Sequence, residues 1–360
     1  MIPTLKRKHP FQVFLVLILA AIGITLAIAS YEKPVQPLIA LSTAPQNTST
    51  EIIATSAPKN ALKASTNPPA QVKPVPVIGN LSYAIGLSVA DTLSFVSNQE
   101  LQKRLDDMAS LGVGWIRIDI DWGDVQPQNS RLFQWDRIDR VVAVAKARNI
   151  QVLAILVYTP PWARPDGCGS NRCPPAEPSS FAAFAAAATG RYAPLGVHDW
   201  EIWNEPNLRG SWLPGADGAD YATLLKTTSV AIKNEDPSAQ MENTDPNLRS
   251  VMEKNGDSVK KIWITEYGAP TGGPGALATA GTYLFAKYAD HVSEDWQAHL
   301  LTDAVAATHT YPWAGPFFWY SYQDIGTSPW TNENFFGLLR YDGSEKPAYT
   351  ALKQAIASLH

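Results

Sequence analysis

The sequence predicts an α/β fold of the (β/α)8 TIM-barrel type in residues 79–360, in an incomplete form with about six recognisable strands. Strand and helix patterns alternate from Gly79 onward, which predicts a parallel sheet with crossover helices. The strands end in polar or aromatic residues, as at the functional face of such a barrel. The length of this region also fits a barrel of about 250 residues.

The individual elements follow from apolar periodicity. Short β-branched and aromatic runs predict strands at 82–89, 115–122, 151–158, 197–203, 261–266 and 315–322. Apolar residues at helical spacing predict helices at 100–111, 135–148, 180–192, 294–309 and 347–359. Asp217 can cap a further helix that runs to about Asn234, and 247–255 reads as a short one.

Two glutamates stand at the carboxyl ends of two predicted strands. Glu205 follows Trp203 by two residues, and Pro206 ends that strand because proline cannot donate a ladder hydrogen bond. Glu266 closes a later strand. Carboxyl ends of parallel strands meet at one edge of a barrel, so the two carboxylates are expected to face each other. Such a pair suits acid–base and nucleophilic chemistry on a glycosidic bond.

Four features of the sequence resemble clan A glycoside hydrolases. The likeness is to the family 39-like and cellulase-like group, which includes exopolysaccharide-processing members. The features are Trp203–Pro206 (WNEP), Trp263–Gly268 (WITEYG), Trp319 on the last strand and the tail Gly337–Tyr349. The resemblance implies a retaining glycosidase that cleaves a β-linked polysaccharide by double displacement, with Glu205 as general acid/base and Glu266 as nucleophile.

The same resemblance implies a set of substrate-binding residues around the glutamates. Asn204 would hold the 2-hydroxyl of the sugar, Arg117 would keep the nucleophile ionised, and Trp319 would form the aromatic floor. Trp162, as a second stacking surface, and Tyr267, beside the nucleophile, complete the set.

Simpler interpretations of three of these side chains remain open from the sequence. Arg117 has Asp119 and Asp121 close by on its own strand as structural partners. Trp162 and Trp319 can each be core residues, as most tryptophans are.

The interval between the two glutamates is short for a complete barrel. Glu266 follows Glu205 by 61 positions, whereas three crossovers of a full barrel need more chain. Residues 240–246 are polar and turn-like, so strands five and six and the helix between them are predicted to be absent. An in-frame deletion or a gene-prediction error is one explanation, and a six-stranded remnant that keeps its glutamates is the other. If the chain is such a six-stranded remnant, a second function is open: that of a catalytically impaired glycan-binding or scaffold protein.

The amino-terminal segment predicts export. Residues 1–10 are basic and precede an unbroken apolar run at 11–29, long enough to cross a bilayer. The flanking charges predict a cytoplasmic amino terminus and an extracytoplasmic domain. We favour a retained single-pass signal-anchor in the cell membrane; a cleaved signal peptide and a secreted protein are the alternative. Residues 30–78 are rich in Pro, Ser and Thr and predict a disordered linker.

The composition of the chain argues against several classes of binding partner. The net charge is −4, without a basic stripe, so nucleic acid is not an expected partner. No cofactor is expected, because no glycine-rich phosphate loop follows a strand, and no metal site is expected from the His, Cys and Asp spacing. Cys168 and Cys173 share one loop, and in an exported domain a local disulfide is the favoured interpretation.

Overall fold

The computed structural model describes residues 85–242, 252, 256–278, 289–311 and 313–359. The predicted anchor at 11–29, the linker at 30–78 and nearly all of the predicted helix at 247–255 lie outside these residues. In the part of the chain that is described, no helix is long and apolar enough to cross a membrane.

Seven parallel strands form the main sheet, in the order β5-β4-β3-β2-β1-β9-β6. They are β1 (Ile85–Ala90), β2 (Trp115–Asp121), β3 (Gln151–Val157), β4 (Asp199–Ile202), β5 (Gln240–Glu242), β6 (Ile262–Tyr267) and β9 (Ala314–Tyr320). A separate two-stranded sheet pairs β7 (Ala276–Leu277) with β8 (Ala289–His291).

Helices connect these strands, as expected for a barrel. They are α1 (Thr92–Phe95), α2 (Asn98–Ser110), α3 (Trp122–Val125), α4 (Asp136–Lys146), α5 (Pro178–Tyr192), α6 (Gly218–Glu235), α7 (Glu294–Thr310) and α8 (Pro347–Ala357). Asp217 caps α6, as predicted, by accepting hydrogen bonds from the backbone N–H groups of Ala219 and Asp220.

The prediction that strand five is absent was wrong. Gln240–Glu242 forms β5 and pairs in parallel with β4. The run escaped notice because it is short and polar, and pairing with a neighbouring strand overrode its weak strand propensity. Among the described residues, no strand lies between β5 and β6, and these two strands are the edges of the sheet. The described residues therefore form an incomplete barrel, as predicted, with seven strands rather than six.

Side-chain alternation divides the sheet into two faces. Phe317 and Trp319 on β9 belong to the large core between sheet and helices. Phe318 faces the other way and packs with Trp115 and Leu153 in a small cluster inside the barrel, with Trp263 against it. This period of two decides which residues can reach a site at the carboxyl ends of the strands.

Candidate active site

Arg117 on β2 is the centre of a buried polar network inside the barrel. Its Nε donates to Glu201 at 2.5 Å, and its Nη1 donates to Glu266 at 2.5 Å and to Ser88 at 3.3 Å. Its Nη2 donates to the side-chain oxygen of Asn204 at 3.0 Å. The side chain is only 4% exposed, and the nearby carboxylates raise its pKa against the opposing effect of burial. The guanidinium therefore ties β4 to β6, the two strands that carry the predicted catalytic glutamates.

The alternative pairing of Arg117 with Asp119 or Asp121 is not what the structure contains. Arg117 pairs instead with Glu201, a buried residue on β4 that the sequence analysis did not single out. A signal for it was present, because Glu201 stands between the apolar residues Trp200 and Ile202 of a strand that was predicted to be buried. A buried carboxylate at such a position needs a cationic partner.

Glu205 is held by a tight turn that follows β4. Trp203 and Glu205 both adopt left-handed backbone angles, with φ of 67° and 47°. Such angles cost on the order of 1–3 kcal/mol each in non-glycine residues and persist where packing fixes them. Trp203 supplies that packing: it is buried, contacts Trp212 at 5.2 Å between ring centroids, and donates its indole N–H to the carbonyl of Ser211.

The surroundings of Glu205 favour its protonated form. Burial raises the pKa of its carboxyl, and the negative charge of Glu266 raises it further. The hydroxyl of Ser211 donates to Glu205 at 3.1 Å and partly opposes this effect. A carboxyl group that stays protonated beside an ionised partner is what a general acid requires.

A β-bulge directs Glu266 into the barrel. On β6, Ile264 pairs with Phe317 and Tyr267 pairs with Trp319, so three steps along β6 oppose two along β9. The extra residue reverses the alternation, and Glu266 reaches Arg117 from the inside. Gly268, two residues after Glu266, lies close to the backbone of β9: a Cβ on this glycine would be 2.1 Å from the carbonyl oxygen of Tyr320.

The structure contradicts two of the predicted substrate contacts. Trp319 is completely buried in the core on the helix side of the sheet, so it cannot form the floor of a sugar site. Tyr267 lies on the same side, with its ring centroid 5.5 Å from Phe317 and 6.0 Å from Trp319. Both errors have one cause. The two aromatic residues were assigned to the site because their residue types match the family motifs, whereas the strand period and the bulge decide which side chains of β6 and β9 point into the barrel.

Tyr320 and Glu333 take part in the site, and the sequence analysis missed both. Tyr320 is on the same face as Ser88, its partner on β1, and the charges of Glu333 and Glu266 add to burial in raising its phenolic pKa. A side-chain hydrogen bond with Tyr320 lowers the pKa of Glu333, against the larger effects of burial and of Glu266. Tyr320 stands one residue after Trp319, so the strand period was the signal that could have found it.

Trp162 and the two cysteines lie in the segment after β3. Trp162 is half-buried, contacts Trp122 edge-on at 5.3 Å, and donates its indole N–H to the carbonyl of Gln126. These contacts place Trp162 against the aromatic core. Its role as a surface on which a sugar stacks stays a prediction. Cys168 and Cys173 form the predicted disulfide.

Acidic side chains line a cavity of about 160 Å³ beside the ends of β1 and β2, among them Asp91, Asp119, Asp121 and Asp124. Burial raises the pKa of Asp119 to about 7 and that of Asp121 to about 6. Among the described residues, no group of three or more His, Cys, Asp or Glu side chains is arranged to hold a metal ion.

The raised pKa of Asp119 makes the stability of the protein depend on pH. The folded chain keeps this proton up to about pH 7, whereas an unfolded chain releases it near pH 4, so ionisation costs folding free energy as the pH rises between these values. We expect Asp119→Asn to stabilise the protein at pH 8, by up to about 4 kcal/mol, and to have little effect at pH 4. Urea unfolding at both pH values measures this, and an equal effect at both would contradict it.

Comparisons with known proteins give matches to solved structures alone. No family model and no curated protein matches the sequence. A family 39 glycoside hydrolase from Bacteroides cellulosilyticus WH2 aligns with a TM-score of 0.59 at 22% identity, over 79% of this chain and 66% of that one. The GH39 enzyme from Xanthomonas axonopodis pv. citri aligns with a TM-score of 0.57 at 20% identity, over 76% and 66%. GH5_18 from Streptomyces cattleya, in complex with GlcNAc, aligns with a TM-score of 0.56 at 15% sequence identity. The alignment covers 76% of this chain and 79% of that one.

The fold of the described domain is therefore that of the clan A glycoside hydrolases, in the form of a partial barrel. The similar structures belong to families 39 and 5 within that clan. The chain spans 66% of the length of each of the two family 39 structures.

Proposed function

We propose that the chain is a retaining glycosidase that hydrolyses O-glycosidic bonds of a β-linked polysaccharide. One observation carries the proposal: Arg117 joins the strand ends that present Glu205 and Glu266 and pairs directly with Glu266, while burial and the charge of Glu266 raise the pKa of Glu205. Two carboxyl groups in different protonation states at one site are the minimum that double displacement requires. The similarity of the fold to solved glycoside hydrolases also supports a glycosidase function.

Each carboxyl group has a defined task in this reaction. A carboxylate oxygen of Glu266 attacks the anomeric carbon while Glu205 gives its proton to the departing oxygen, which leaves a covalent glycosyl ester on Glu266. Glu205, now ionised, takes a proton from a water molecule, whose oxygen attacks the same carbon and releases Glu266. The ion pair with Arg117 holds the carboxylate of Glu266 in position between turnovers.

The raised pKa of Glu205 should be visible in the pH profile. Because Glu205 must be protonated for the first step, kcat/KM should fall as the pH rises through its pKa, which lies above the ordinary value for glutamate. In Glu205→Gln, a substrate with a good leaving group, such as a 4-nitrophenyl glycoside, needs no acid in that step. We expect this variant to lose the alkaline limb of the kcat/KM profile. An unchanged alkaline limb would exclude Glu205 as the acid.

We further propose that the domain acts outside the cytoplasm, held at the membrane by residues 11–29 through the linker at 30–78. The apolar run, the basic residues before it and the Pro/Ser/Thr-rich composition support this placement. The Cys168–Cys173 disulfide is compatible with an oxidising compartment. Membrane fractionation, with protease accessibility of the domain in intact cells, tests both the anchoring and the orientation.

A second function is favoured by the incomplete barrel. Among the described residues, β5 and β6 are the edges of the main sheet, so the site can have kept glycan affinity and lost turnover, as in a binding or scaffold protein. That function predicts retardation in polysaccharide-containing gels without release of products, and retardation that survives Glu266→Gln. Hydrolysis that depends on Glu266 would exclude it.

A further inference from the structure

Residues 321–337 form a loop in the first part of the connection between β9 and α8, and this loop is firmly attached to the barrel next to the candidate catalytic residues. Lys346 and Asp324 form an ion pair at 2.8 Å in which the side chains are 1% and 5% exposed. Lys346 also donates to the carbonyl of Phe335 at 3.1 Å. Gly337 donates its N–H to Asp324, and a Cβ on this glycine would lie 2.2 Å from the backbone nitrogen of Asp324. The loop is therefore fixed by buried polar contacts.

This loop also reaches the catalytic carboxylates. Glu333 lies in a short 3-10 helix, Asn332–Phe335, in which Thr331 accepts a hydrogen bond from the N–H of Glu333. The charge of Glu333 acts on Glu205, and that of Glu266 acts on Glu333. Phe336 of the same loop also packs against Tyr320, with 5.3 Å between their ring centroids, so the 321–337 loop borders the candidate active site.

Trp330 projects from this loop into solvent. Its side chain is 84% exposed, although the loop that carries it is held in place, and Ile325 on the same loop is 54% exposed. Glu333 follows Trp330 by three positions, so the two Cα atoms lie within about 11 Å of each other. An exposed aromatic ring on a fixed loop beside an active site offers a stacking surface to a ligand.

We propose that Trp330 forms an outer sugar subsite, on which a residue of the polysaccharide chain beyond the cleaved bond stacks. The C–H face of a sugar ring is apolar and matches an indole face, and the fixed loop lowers the ordering cost of the contact. The proposal rests on the proposed function and specifies it: the enzyme favours long chains over short glycosides. Trp330 acts on specificity and does not touch the reacting atoms.

The test compares short and long substrates in the full-length protein. The short probes are 4-nitrophenyl β-glycosides of glucose, xylose, galactose and mannose, and the long ones are barley β-glucan, xylan and galactomannan. We expect Trp330→Ala to leave kcat/KM on the active short probe within about twofold and to lower it about tenfold on the active polymer. Val259→Ala, which alters an 88% exposed residue before β6, at the opposite end of that strand, serves as the control and should change neither value.

The outcomes separate this proposal from the proposed function. Equal losses on both kinds of substrate, or no loss on the polymer, would overturn the Trp330 subsite while leaving the glycosidase intact. If no probe is hydrolysed, the glycosidase proposal fails, and the subsite is judged by gel retardation with the same polymers. Retardation that is lost in Trp330→Ala supports it, and a wild-type protein that no polymer retards overturns it.

Discussion

Replacement of Glu266 by glutamine should abolish hydrolysis without unfolding the protein. Glutamine has no carboxylate to attack the anomeric carbon, so kcat/KM on the best 4-nitrophenyl glycoside should fall by at least about a thousandfold. The side chain of Glu266 is 36% exposed, and Arg117 keeps its buried partner Glu201. The free energy of unfolding should therefore change by less than about 1 kcal/mol.

Glu100→Gln provides the matched control, because Glu100 is a surface residue of α2 that pairs with Arg104. It should retain wild-type turnover. Stability is measured by urea denaturation followed through tryptophan fluorescence, so that lost activity can be separated from lost structure. Turnover that persists in Glu266→Gln would remove this residue from the mechanism.

Arg117→Met should be the most destabilising single substitution in the site. It leaves the Glu201 carboxylate, whose side chain is 7% exposed, buried without its cationic partner. Breaking one side of a buried ion pair costs about 3–5 kcal/mol. It should also lower kcat/KM, because Glu266 loses the cation that holds its carboxylate in position.

A double substitution distinguishes these two effects. Arg117→Met combined with Glu201→Met removes both buried charges, so most of the lost free energy of unfolding should return while the activity stays low. If the double variant is no more stable than Arg117→Met alone, Glu201 is not the charge that Arg117 compensates. A single variant as stable as the wild type would contradict the network itself.

The sequence allowed the partial barrel to be predicted and the two candidate catalytic glutamates to be located, because both depend on local signals. Apolar runs of strand length located six strands, and a polar glutamate at the end of such a run is visible without any knowledge of the tertiary structure. β5 was missed since Gln240 and Glu242 have little strand propensity of their own, and its pairing with β4 is a tertiary effect.

The inward-facing residues of the site were harder to predict. Whether Trp319 or Tyr320 faces the glutamates depends on strand register, and a shift of one residue reverses every assignment. The bulge before Tyr267 changes the direction of the side chains that follow it, and no sequence signal was recognised for it. Glu333 enters the site through a loop whose path depends on the buried Lys346–Asp324 pair, a contact between positions 22 residues apart.

Covalent trapping tests the retaining mechanism most directly. The full-length protein is incubated with a panel of activated 2-deoxy-2-fluoro glycosides, and its intact mass and labelled peptides are then measured. The proposed function predicts a single adduct from one sugar of the panel, located on Glu266 and absent from Glu266→Gln. Protein that unfolds cooperatively and yet gains no adduct from any sugar, or gains one at another residue, would contradict it.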